Sequence, residues 1–252
     1  MNMIKDISNM DYFKQLSRLI VLALAPLVSS AAGWNIDPLR IDLSPIKNTA
    51  AMTITNASNQ TTTIQIQPVA WSQVQGKDVY LPTKELLVTP PIVTIPAKSS
   101  QIIRMALRIP ADKSNETAYR INLQEISPTT SDNMTAVDVA MRVSVPVFIQ
   151  PQFGKAEPKL SWKVSSAPDN MIKMELYNVG NAHVKITDFT LLSVGVEHAV
   201  ATETGANYIL AGQSHTWLLK MLGPETVVDQ HLHLKAFTDT ANVDTVIVVD
   251  KP

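Results

Sequence analysis

From Val137 to Val147 the chain reads V-D-V-A-M-R-V-S-V-P-V. Val137, Val139, Met141, Val143, Val145 and Val147 take the odd places, and Asp138, Ala140, Arg142, Ser144 and Pro146 the even ones. Strict period-two alternation puts an apolar row on one face of an extended strand and a mostly polar row on the other. At about 3.3 Å per residue such a strand would run roughly 36 Å, well beyond the common length of about 5–6 residues. Pro146 adds a constraint: with no N–H to give to a ladder, proline is confined mostly to sheet edges and bulges. A long apolar edge strand is an aggregation hazard. A chain that keeps one is expected to use it for pairing with another chain.

The rest of the composition agrees with a β protein and narrows its partners. In 252 residues there are 16 prolines and 8 glycines, a balance suited to many strands joined by rigid turns, and 45% hydrophobic residues supply a large core. A net charge of −1 gives no electrostatic reason to expect nucleic acid or an anionic membrane surface as partner. Cysteine is absent, which excludes disulfides, thiol catalysis and cysteine-based metal sites.

The N-terminus has the layout of a secretory signal. Lys14 and Arg18 precede an apolar run from Leu19 to Val28, and small residues Ser29, Ser30, Ala31 and Ala32 follow. About ten apolar residues are too few to span a bilayer, so stable membrane insertion is not expected. Cleavage near Ala31 or Ala32 would start the mature chain around Gly33. A short anchor or a core helix is the competing reading.

Beyond residue 33 the pattern is β throughout. Ile36–Leu43, Ala51–Asn56, Thr61–Trp71, Ile102–Leu107 and Ala118–Ile126 are short runs with alternation or β-branched residues, separated by turn-rich segments. Residues 137–149 close this set. Gln150 to Pro158 reads as a linker containing proline and glycine. A second series follows: Leu160–Ser166, Met171–Tyr177, Val184–Leu192, Ser214–Leu219, His231–Phe237 and Val243–Val249. The expected organisation is a signal peptide at 1–32, a sandwich domain at 33–149, a linker at 150–158 and a second sandwich at 159–252.

Catalytic patterns are absent: there is no nucleophile elbow, no H-E-x-x-H and no phosphate-binding glycine loop. His231 and His233 share a strand face, but zinc needs further ligands that the neighbourhood does not offer. His183, His198 and His215 stand alone in sequence. Four Asn-x-Ser/Thr matches, at Asn56, Asn59, Asn115 and Asn133, are of a kind expected by chance in so Asn- and Thr-rich a chain. Arg40, Arg104 and Glu125 sit inside apolar runs. Each needs a partner if buried, and spacing alone favours the solvent-facing side for all three. No enzyme, metal or cofactor is expected.

Four segments in order carry a resemblance: Thr89-Pro-Pro-Ile-Val-Thr-Ile-Pro96, Gln101-Ile-Ile-Arg-Met105, Tyr119-Arg-Ile-Asn-Leu-Gln-Glu-Ile126 and Met141-Arg-Val-Ser-Val-Pro-Val-Phe148. Across residues 34–252 the chain resembles the PapD-like periplasmic pilus chaperones of chaperone–usher systems. The absence of cysteine, Tyr119-Arg120 and Tyr208-Ile-Leu-Ala-Gly212 look most like the archaic, Csu-type branch. The resemblance implies two immunoglobulin-like β-sandwich domains in tandem, set at an angle. It implies a last N-domain strand that completes the sandwich of a pilus subunit, with Val137, Val139, Met141, Val143 and Val145 as donor residues, and delivery to an outer-membrane usher. It also implies a basic pair holding the subunit's terminal carboxylate. Arg40 matches the first member. The second, a lysine near the end of the donor strand, is replaced by Pro146, leaving Arg142 as a substitute. Arg104, Glu125 and Asp239 match a family network that fixes the domain angle. Self-association through the exposed edge is a further expectation. The competing function is a secreted structural or adhesive β-sandwich protein such as a pilus subunit.

Overall fold

The computed structural model describes residues 33–126, 140–195, 198–223 and 231–250. Residues 1–32, and with them the expected signal segment, lie outside the described part, as do Val137 and Val139. Among the described residues the chain is all-β, without helices.

The N-terminal domain holds β1 (Trp34–Asp37), β2 (Ile41–Leu43), β3 (Thr49–Asn56), β4 (Thr62–Val74), β5 (Lys77–Pro82), β6 (Leu86–Thr89), β7 (Ile92–Ile95), β8 (Ser100–Leu107), β9 (Thr117–Ile126) and β10 (Arg142–Ile149). One sheet runs β1-β3-β8-β6; the other runs β2-β10-β9-β4-β5, with β7 also on β4. The core lies between them and includes Met52, Ile54, Ile64, Ile66, Ile103, Ile121, Leu123, Val145 and Val147.

The expected single strand Ile36–Leu43 is divided. β1 pairs antiparallel with β3 in one sheet, and β2 pairs parallel with β10 in the other. The break falls at Pro38, which has no N–H to continue a ladder, and it carries Arg40 in the crossover between the sheets. The Gln75-Gly76 turn has positive φ at both residues (51° and 73°), the conformation a tight hairpin between twisted strands requires. It lets β5 fold straight back on β4.

The C-terminal domain holds β11 (Leu160–Ala167), β12 (Met171–Asn178), β13 (Val184–Ser193), β14 (Ala199–Ile209), β15 (Ser214–Lys220), β16 (His231–Thr238) and β17 (Val243–Asp250). Its strands form one continuous path, β14-β13-β16-β17-β11-β12-β15, because β17 and β11 pair in parallel at Val164↔Val249 and Ser165↔Asp250. The path wraps around a core containing Trp217, Phe189, Leu191 and Leu232. The segment between the domains is docked. Val179 N donates to Lys159 O (2.8 Å) and Asn181 N to Glu157 O (3.1 Å). Gly180 leaves no room for a Cβ against the backbone of Glu157 to Lys159.

Candidate functional site

β10 is shorter than the alternation predicts: its described span begins at Arg142. Its register explains which backbone groups are free. Glu125 N donates to Met141 O (2.9 Å), and Val143, Val145 and Val147 face Leu123, Ile121 and Tyr119 on β9. In an antiparallel ladder, backbone groups alternate between the two sides, so the odd residues bond β9 and the even residues point to the opposite edge. On that edge β2 covers only Val147 to Ile149. The backbone groups of Arg142 and Ser144 are therefore left without a ladder partner among the described strands, while the parallel pairing of Val147 with Ile41 engages the carbonyl of Pro146. Proline fits here because the N–H it lacks would have pointed to this open edge.

The side chains divide in the same place. Val145 is 1% exposed and belongs to its own domain's core. This corrects the expectation that Val145 is offered to a partner: β10 is flanked there by both sheets of its own sandwich. Upstream, Val143 and Met141 are half-buried and pack against the rim of that core. The apolar row thus leaves the domain between Val145 and Met141.

The even face closes for another reason. Pro146 and Phe148 are buried although they point away from the N-terminal core. Phe148 packs with Trp71 and Leu210 in a small cluster between the domains, joined by Tyr208 and Ala118. Trp71 lies edge-on to Tyr208 (82°, centroids 5.4 Å apart). Gln73 ties the two domains as a short strand would: its Nε2 donates to Tyr208 O (2.8 Å), and its Oε1 accepts from Leu210 N (2.9 Å). Asp78 supports this arrangement by accepting from Trp71 Nε1 and Gln73 Nε2, both at 2.9 Å. Burial opposes its charge, but the bonds from Gln73, Trp71 and Tyr80 outweigh that and hold the carboxyl below its usual range.

Cations line this boundary. Arg40 Nη1 donates to Asp239 Oδ2 (2.7 Å), its other nitrogens reach Asp42, and its guanidinium sits 5.1 Å from the Phe148 ring centre. Its side chain is still 38% exposed. Arg120 lies 3.9 Å over the Trp71 ring and 5.6 Å from that of Tyr208. Its Nε is buried and has no hydrogen-bond partner. Arg120 is the cross-strand neighbour of Pro146, so a cation stands beside the position where the family pattern has lysine. Arg142 is exposed and four residues upstream of Pro146, roughly 13 Å along the strand.

Asp239 is at the boundary, between Arg40 and the backbone N of Lys185 (2.8 Å). The expected trio with Arg104 and Glu125 does not assemble. Arg104 is exposed on β8, in the other sheet, beside Ala51 and Thr89. Glu125 accepts from Met141 N (3.2 Å) near the start of β10. The partners Asp239 does have are Arg40 and His183. His183, unremarkable in sequence, is 4% exposed, with its ring stacked on Phe148 at 3.4 Å and Nδ1 2.6 Å from Glu116 Oε1. No pattern in the sequence brings Gln73, Glu116, Arg120, His183 and Tyr208 together; each is a lone polar or aromatic residue at a strand end.

Residues 33–154 match the family of pili and flagellar-assembly chaperones, PapD N-terminal domain. This match spans the N-terminal domain, just under half of the chain. The fold likeness to solved chaperone structures extends over both domains. A chain of the CsuC–CsuE chaperone–tip adhesion subunit pre-assembly complex, from archaic chaperone–usher Csu pili of Acinetobacter baumannii, is 18% identical with a TM-score of 0.63, covering 88% of this chain and 100% of that one. The complex of Salmonella enterica SafA pilin with the SafB chaperone gives 14% identity and a TM-score of 0.59, over 87% of this chain and 99% of that one. The YadV chaperone gives 18% and 0.58, over 85% and 98%. No curated protein matches the chain. At these identities the likeness speaks for the two-domain fold alone.

Proposed function

We propose that this protein is a PapD-like periplasmic chaperone that holds pilus subunits by lending them a strand and passes them to an outer-membrane usher. The observation that carries the reading is the open edge of β10 at Arg142 and Ser144, where the apolar row of Met141 and Val143 emerges from the chaperone's own core. Main-chain hydrogen bonds along that edge would extend a subunit's sheet, and alternate side chains would enter its core. Each Val or Met fully buried there contributes about 1.5–3 kcal/mol. Val137 and Val139 continue the row in sequence and belong to the same proposal. The N-terminal sheet already contains its own last strand, β10, which supports the chaperone reading over that of a pilus subunit lacking one.

Arg40 and Arg120 are our choice for the subunit's terminal carboxylate. Both border the Phe148–Tyr208 cluster, and a guanidinium makes strong charge-assisted bonds to carboxylate. The free edge also makes self-association in the absence of a subunit part of the proposal. The test is co-expression with a pilin from the same gene cluster. Wild type should protect the pilin from proteolysis as a one-to-one complex. Met141→Asp and Val143→Asp should lose it while remaining folded. Protection by both variants would remove the donor-strand assignment.

A further inference from the structure

His183 has a carboxylate at each ring nitrogen. Nδ1 lies 2.6 Å from Glu116 Oε1, and Nε2 faces Asp239 Oδ2 at 3.5 Å. The second contact has ion-pair distance without hydrogen-bond geometry, so Nε2 is buried without a hydrogen bond. Glu116 comes from the N-terminal domain, just before β9; Asp239 follows β16 of the C-terminal domain. A neutral imidazole has one N–H and can satisfy only one of these carboxylates, whereas the imidazolium donates to both. The same Oδ2 of Asp239 that faces His183 accepts Arg40 Nη1 at 2.7 Å. One carboxylate oxygen is thus shared between a histidine that can gain or lose charge and an arginine that cannot.

The other groups around the ring do not change this balance. Phe148 covers one face. Tyr208 lies 5.8 Å away on β14, with its hydroxyl held in the neutral form by burial. Lys185 meets Asp239 through its backbone N, and its ammonium lies over Tyr208. Asp42 is bound to the far side of Arg40. Burial opposes a charged His183, Asp239 and Glu116 outweigh it, and the result is a ring more basic than usual; Arg40 acts against that.

We propose that His183 is a positioning residue for Arg40: as the imidazolium it draws Asp239 to itself and releases Arg40 toward an incoming carboxylate, so that capture of a subunit's terminus takes up a proton. The inference rests on the reading of Arg40 as a carboxylate anchor. By linkage, whatever neutralises Arg40 must raise the proton affinity of His183, and the reverse holds equally. Capture should accordingly be stronger in mildly acidic medium and weaken as pH rises.

Neutralising Arg40 by substitution mimics a bound carboxylate, so the coupling can be read without any ligand. The imidazole resonances of the whole protein are followed by NMR against pH, His183 being identified by loss of its signal in His183→Gln. The wild-type midpoint is expected above about 6.5. It should fall in Glu116→Gln and rise in Arg40→Gln. A midpoint that stays put or falls in Arg40→Gln overturns the proposal, and so does a wild-type midpoint at or below the ordinary histidine value. Retention of co-expressed pilin by Arg40→Ala reports separately on the anchor. Unchanged retention there refutes the anchor, while a failed NMR shift beside impaired retention refutes the proton coupling alone.

Discussion

Arg120 is the cross-strand partner of Pro146 on the β9–β10 ladder. Their side chains share the sheet face that meets the C-terminal domain, and the guanidinium is laid over Trp71 at 3.9 Å. A cation held against an indole ring and lacking a bond at its Nε is prepared for an anion. Replacing Arg120 by Gln should weaken pilin retention by about 1.5–3 kcal/mol, the usual contribution of a hydrogen bond to a charged group. That corresponds to roughly a ten- to hundredfold loss in affinity. Pull-down against pilin concentration measures it, with thermal unfolding as the check on folding.

Gln73 is the side chain through which the sheet of one domain holds the backbone of the other. Gln73→Leu keeps the volume but strands Tyr208 O and Leu210 N, which Gln73 bonds at 2.8 and 2.9 Å. Unsatisfied buried groups of this kind cost about 1–3 kcal/mol each. The interface should loosen without unfolding either domain. Small-angle scattering should then report a broader distribution of interdomain distances than in wild type.

Each domain has a buried asparagine at a strand end. Asn178 Nδ2 donates to Ala182 O (2.7 Å), Ile209 O (3.1 Å) and Leu210 O (3.2 Å), and Asn56 Nδ2 to Gln60 O (2.7 Å), Ile95 O (3.0 Å) and Pro96 O (3.2 Å). Leucine fits either space but leaves several carbonyls unbonded. Asn178→Leu and Asn56→Leu should each lower stability by about 3 kcal/mol, seen as a shifted urea midpoint.

The interface should also depend on pH, in a direction set by two groups. His183 is raised by its carboxylates against the effect of burial. Its contribution is therefore complete below the unfolded value of about 6.5 and fades as pH climbs through the higher folded value. Burial opposes ionisation of Asp239, but the facing His183, the bond from Lys185 N and the charge of Arg40 hold it low. Its contribution is present above about 3.9 and is lost as pH falls through the folded value. The melting temperature should be highest between these limits. His183→Gln should flatten the alkaline side of the profile and soften the acid side, since Asp239 then keeps only Lys185 N and Arg40.

The β class, the division into two domains and most strands were legible because alternation over apolar residues reports a half-buried sheet face directly. β14 was missed for the same physical reason. Its centre, Thr202-Glu-Thr-Gly-Ala-Asn207, has little apolar content and lies largely exposed. β5, β6 and β7 fell in stretches read as turns or left unassigned: they are short, and β5 is almost wholly exposed. Within the site, Arg40 was singled out by its place between apolar neighbours. Val145 shows the limit of that reasoning, since alternation reveals a row of valines but not where the row leaves one core. The cluster around His183 draws on Glu116, Phe148 and Asp239, which are brought together only when the domains dock.

The central claim is that a subunit pairs with the open edge of β10. Amide hydrogen exchange resolved to single residues addresses it most directly, in free chaperone and in its complex with pilin. Arg142 and Ser144 have amides pointing to the open edge, whereas those of Val143 and Val145 are bonded to β9. Binding should slow exchange sharply at Arg142 and Ser144 and leave Val143 and Val145 almost as they were. Unchanged exchange at Arg142 and Ser144 in a stable complex would mean that the subunit is held elsewhere.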